Sequence, residues 1–122
     1  YSLRRMLDPI KEHVDNNFNP LPAEYTKEFA PVRQKINDLM RMSCEQIETS
    51  RYENYREILA EADACKDELS VLRKKHIDRI QHLSDNSLMQ ISLVYLNVLQ
   101  ESQEFLSVMR HQLRAAKKFM EK

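Results

Sequence analysis

Residues 55–83 read YREILAEADACKDELSVLRKKHIDRIQHL, and the spacing within this stretch decides the fold. Tyr55, Ile58, Ala62, Cys65, Leu69, Leu72, His76, Ile80 and Leu83 follow one another at intervals of three and four. Those intervals bring side chains to one face of an α-helix, so the stretch predicts a long amphipathic helix with a bundle seam. It contains no strand-like alternation, and neither does the rest of the chain.

Downstream, Ser84-Asp85-Asn86-Ser87 supplies a turn and an N-cap. A further helix is expected over Ser87–Met120. Leu88, Ile91, Tyr95, Val98, Ser102, Phe105, Met109, Gln112 and Ala116 lie on its seam, widened by Leu99, Leu106, Leu113 and Met120. Upstream, Ser50-Arg51-Tyr52-Glu53 is a tight link, and tight links join antiparallel helices. The helix before it starts at Glu24 or Pro31 and runs to Thr49 on Phe29, Val32, Ile36, Leu39, Ser43 and Ile47. Pro31 suits a first turn, or it bends a longer helix. Asn16–Pro22, with its asparagines and prolines, is the clearest break. Ahead of it, Leu3, Met6, Leu7, Ile10 and Val14 mark a short amphipathic helix over Ser2–Asn16. The expected fold is all-α. It is an antiparallel three-helix bundle over residues 20–122, preceded by a short N-terminal amphipathic helix and linker, residues 1–19, read as a connector.

Composition agrees. The chain has 122 residues, no glycine, and 19 acidic against 19 basic side chains. Without glycine, phosphate-cradling loops and nucleotide fingerprints have no turn to stand on. Balanced charge argues against a nucleic-acid partner, and no small-molecule substrate site is expected. No apolar run approaches the roughly 20 residues of a membrane span. Tyr1 opens the chain without an initiator Met, which reads as a piece of a longer protein. Cys44 and Cys65 fall at different heights on neighbouring helices and are expected to be free, buried, small apolar groups. Met40 and Met42 are read as core filling in preference to a partner surface.

The constellation with chemical interest is acidic. Asp63 and Asp67 stand at i and i+4, and Glu101 and Glu104 repeat the theme on the last helix. Like charges at that spacing repel. Counted from the turn near Asp85, Asp67, Glu101 and Glu104 share one level, with Asp63 a turn away and Asp38 level with Asp63. Asn97 and Gln100 add neutral oxygens. Such hard oxygen ligands suit a divalent metal or iron better than closed zinc sites. The competing reading is a solvated charged face, with Lys66 beside Asp63. A di-metal carboxylate enzyme would need Glu-x-x-His, which does not occur, so no catalytic activity is expected. His76 lies on the seam as a core or bundle-end histidine, His82 near a helix C-terminus, and His111 is read as a surface ion-pair partner. Two basic runs, Arg73–His76 with Arg79, and Arg110, Arg114, Lys117 and Lys118, fall at opposite ends of the bundle and complement helix dipoles.

Glu61-Ala-Asp-Ala-Cys-Lys-Asp-Glu-Leu, followed by Leu88–Lys118 with Leu99-Gln-Glu-Ser-Gln-Glu-Phe-Leu, resembles the PhoU-like helical domains. These are three-helix repeats in which acidic motifs on two helices bind metal ions at the bundle surface. Asp63 and Asp67 match the first motif. Gln100 and Glu104 stand where the second has Glu and Asp, with Glu101 adjacent. The resemblance spans about Val32 to Lys118 and one repeat, as in the C-terminal cytoplasmic domain of bacterial sodium/phosphate cotransporters. It implies a regulatory, non-enzymatic role in phosphate uptake at the cytoplasmic face of the inner membrane. Its implied partner is a membrane transporter domain of the same polypeptide; a second copy of the chain is a separate candidate partner. Leu3–Val14 would then be the connector from the last span. The rival expectation is a structural oligomerisation or adaptor bundle without metal.

Overall fold

A computed structural model describes residues 3–18, 21–83 and 86–120. Four helices account for nearly all of them: α1 (Leu3–Phe18), α2 (Ala23–Thr49), α3 (Tyr55–Gln81) and α4 (Asn86–Met120), with no strand among the described residues. The all-α expectation holds. Of the two starts weighed for α2 the earlier one is found, so Pro31 sits inside the helix. The Ser84–Ser87 turn and the Asn16–Pro22 break fall partly outside the described residues.

The link after α2 shows how the chain reverses without glycine. Ser50 takes the left-handed conformation at φ 56°, ψ 28°. Its N–H bonds the Ile47 carbonyl and the Arg51 N–H bonds the Gln46 carbonyl, closing the last turn as a glycine cap would. Oriented to satisfy both neighbours, the buried Gln46 amide donates to the Arg51 carbonyl at 3.3 Å and accepts from the Asn54 N–H at 3.0 Å.

Cross-helix pairs fix the topology. Lys35–Glu68, Lys75–Glu28 and Arg79–Glu24 show α2 and α3 antiparallel, since numbers rise on one helix as they fall on the other. Asp63–Arg110 and Ser70–Gln103 do the same for α3 and α4. Arg4–Glu48 and Arg33–Asp15 tie α1 antiparallel to α2. Tyr25–Ser92 and Glu28–Tyr95 show α2 and α4 parallel. α4 packs on all three other helices, α1 also touches α2, and α1 and α3 do not meet. The molecule is therefore an up-down arrangement in which α1 and α3 flank the α2–α4 pair.

One apolar cluster joins all four helices. Leu3, Leu7 and Val14 of α1 are buried with Phe29, Leu39, Ile58, Leu69, Leu106 and Leu113. The predicted seams supply most of it, including the fully buried Ala62, Tyr95 and Val98. Met40 is buried and Met42 packs against the cluster, as core filling requires. Cys44 and Cys65 are free and buried; burial pushes the Cys65 thiol up to about 11. Leu88 and Ile91 depart from their seam reading and stand exposed. α1 accounts for this. With His13 level with Glu101, its last residue reaches α4 only at about Leu96, and α4 runs on beyond it.

Candidate functional site

The four acids expected to share a groove lie on different faces. Asp63 binds Arg110 across the α3–α4 seam at 3.1 Å. Glu101 turns the other way and meets His13 of α1 at 3.3 Å. Nine residues separate Glu101 from Arg110, about two and a half turns, so the two leave α4 on opposite sides. Asp67 and Glu104 are exposed. The side chain that α4 sends to α3 at the level of Asp67 is Gln103, whose amide donates to the Lys66 carbonyl and to Ser70 Oγ. Among the described residues no group of three or more His, Cys, Asp or Glu could hold a metal ion. Counting from the turn gives the right height, and rotation about α4 separates the acids.

A denser polar constellation lies where the start of α2, the end of α3 and the first half of α4 converge. Glu28 of α2 is its centre, with a side chain only 15% exposed. Its Oε1 accepts from Arg79 at 2.7 Å and from the Tyr95 hydroxyl at 2.9 Å, and its Oε2 faces Lys75 Nζ at 3.3 Å. Arg79 also reaches Glu24 at 3.5 Å and lays its guanidinium over the Tyr25 ring. Tyr25 and Tyr95 stack at 4.6 Å, and the fully buried His76 ring meets both edge-on. Ser92 completes the set. Its hydroxyl pairs with the Tyr25 hydroxyl at 3.0 Å and its carbonyl with His76 Nε2 at 2.7 Å.

The protonation states follow. A carbonyl only accepts, so His76 Nε2 carries the hydrogen. Nδ1 is buried with no partner. Burial pushes the His76 pKa below its ordinary 6.5, and the Arg79 charge adds to this against the Ser92 bond. Burial alone would raise Glu28, but the hydrogen bonds from Arg79, Tyr95 and Lys75 outweigh it and hold the carboxyl below its ordinary 4.5. Burial, followed by the bond to Glu28, pushes the Tyr95 phenol far up. The Glu28 carboxylate, the Lys75 and Arg79 cations and the buried rings thus lock α2, α3 and α4 in register. Both Glu28 oxygens and the Tyr25, Tyr95 and Ser92 hydroxyls are taken up by protein partners, which suits structural fixing better than chemistry on a substrate.

Sequence reasoning placed His76 in the core and missed its surroundings. A signal was present: Glu24 and Glu28 stand four apart on α2, and Lys75 and Arg79 stand four apart on α3 at matching distances from the turn. The other histidines are peripheral. His82 caps α3 at 3.9 Å from Asp78, and His111 is exposed beside Tyr55 and Arg114.

No family model, no curated protein and no solved structure matches this chain. Among the described residues no helix is long and apolar enough to cross a membrane.

Proposed function

We propose that the chain is a non-catalytic regulatory module that works through contacts with other helices, in the phosphate-uptake setting that its resemblance to PhoU-like domains implies. In this reading α2, α3 and α4 are the three-helix unit and α1 is the connector laid against it. A transporter domain of the same polypeptide, at the cytoplasmic face of the inner membrane, and a second copy of the chain are the partners.

One observation carries the contact reading. From Asn86 to Gln100, α4 has no charged side chain, in a chain that is 31% charged. Clustered Leu, Ile and Val side chains on such an uncharged stretch are normally buried. Here Leu88 is 49% exposed, and Ile91, Leu93 and Val94 also face solvent beyond the end of α1. Uncharged apolar surface of this kind marks an interaction site. The separation of Asp63 and Asp67 from Glu101 favours the version without metal.

Two measurements test the reading. Sedimentation velocity over a wide concentration range is expected to show self-association that Ile91→Glu with Val94→Glu abolishes; a monomer at every concentration removes the second copy as partner. In the source organism the same substitutions are expected to alter how phosphate uptake responds to external phosphate. Unchanged uptake, with the protein at its normal level, removes the phosphate setting.

A further inference from the structure

At the other end of α4 from its uncharged stretch, cations gather. From Phe105 to Met120 the helix carries Arg110, Arg114, Lys117 and Lys118 and no Asp or Glu. Arg110 is taken by Asp63 of α3 at 3.1 Å. The other three line one depression of about 580 Å³, together with His111, Ala115 and, from the first turn of α3, Tyr55. Lys117 is held in place there, its Nζ resting over the Tyr55 ring at 5.0 Å.

Two observations separate this depression from an ordinary basic helix end. The α4 dipole favours cations within the last turn, which covers Lys117 and Lys118. His111 and Arg114 stand before that turn, beyond its reach. Nor does α3 send a carboxylate across to them. Glu61 lines a different depression with Lys35 and Asp38 of α2, and Glu57, one turn earlier, leaves α3 on that same side. Arg114 and Lys118 form no ion pair among the described residues. Arg56 adds to the imbalance: seven residues before Asp63, it leaves α3 on the side from which Asp63 reaches α4. Arg114 and Lys118 stand at i and i+4, where like charges repel. An anion set between them turns that repulsion into attraction.

We propose that this depression binds a small soluble polyanion of linked phosphate groups, a triphosphate or longer. From His111 to Lys118 the donors extend about 10 Å along the helix. A single phosphate meets only part of that set, whereas linked phosphates reach all of it. The Arg114 guanidinium offers paired N–H donors to phosphate oxygens, and Lys117 and Lys118 supply point charges. The Tyr55 hydroxyl and the His111 ring add further donors. Side chains here take the part that glycine-rich loops play elsewhere, as a chain without glycine requires. Charge and spacing identify the ligand, so the site rests neither on the phosphate-uptake reading nor on the exposed start of α4.

The test is isothermal titration calorimetry of the purified chain with inorganic triphosphate at about 0.15 M salt. Saturable binding at one site is expected, at least about tenfold tighter than orthophosphate and weakening as salt rises. Arg114→Glu with Lys118→Glu should weaken it by about tenfold or more. Lys27→Glu with Lys74→Glu makes the same change of net charge at exposed positions far along the bundle, and should leave affinity within about twofold. In NMR spectra the His111 and Tyr55 ring signals should shift as triphosphate is added. Absence of binding, equal affinity for orthophosphate or citrate, or ring signals that do not move overturns the proposal. So does equal loss in the two double variants, which would reduce the effect to net charge. Binding confined to phosphatidylglycerol vesicles also overturns it, making this end a membrane face.

Discussion

Glu28 and the four acids Asp63, Asp67, Glu101 and Glu104 carry the same functional group in opposite circumstances. Glu28 is mostly buried and held by three partners from two other helices. Among the described residues Asp63 pairs with Arg110 and Glu101 with His13, and Asp67 and Glu104 stand exposed. Acidic spacing on α3 and α4 points to the second group, yet the cooperative site formed around Glu28, beside Phe29 on α2. What makes a carboxylate matter here is the number of helices converging on it, not its distance to the next acid along the chain.

The largest expected effect comes from removing the centre of that site. Glu28→Ala leaves the partly buried Arg79 and the buried Tyr95 hydroxyl without their main acceptor, a loss of about 3 kcal/mol in denaturant-induced unfolding. Asp67→Ala should stay within about 0.5 kcal/mol. Equal costs for the two would erase the contrast. Tyr95→Phe sharpens it: deleting one hydroxyl while keeping the ring stack should cost about 1.5 kcal/mol.

Acid provides a third probe. A group whose folded pKa is depressed gives stability that is complete above its unfolded pKa and is lost as pH falls towards the folded one. For His76 the loss should begin near 6.5 and for Glu28 near 4.5. Stability measured against pH should therefore decline in two stages, and His76→Leu should remove the first. A wild-type profile flat just below pH 6.5 would show that the buried ring accepts a proton without cost, despite facing Arg79. The smallest effect is expected at the surface acids. Melting with chelator and then with Mn, Mg, Fe or Ca should give the same temperature, and Asp67→Ala with Glu104→Ala should change nothing further. A metal-dependent rise that the double variant abolishes would show those acids acting together after all.

The helices themselves were legible in the chain. Intervals of three and four from Tyr55 to Leu83 named nearly every buried residue of α3, because helical periodicity is a local property. The link at Ser50–Glu53 was legible as tight; that a serine takes the left-handed conformation reversing the chain there was not. Heights could be counted too: Gln103 meets Lys66 and Ser70 at the level expected for Asp67.

Rotation could not be counted. Which face α4 turns towards α3 depends on the packing of Tyr95, Val98, Phe105 and Met109 against three neighbours at once, and that sent Glu101 to α1 and Gln103 to α3. The extent of α1 along α4, which leaves Leu88 and Ile91 uncovered, was settled in the same way. The sequence by itself determined an all-helical chain, its helix faces and its antiparallel neighbours, since these follow from period and link length. Only the tertiary structure decided which polar groups meet, because one residue's rotation, about 100°, carries a side chain from one partner helix to another.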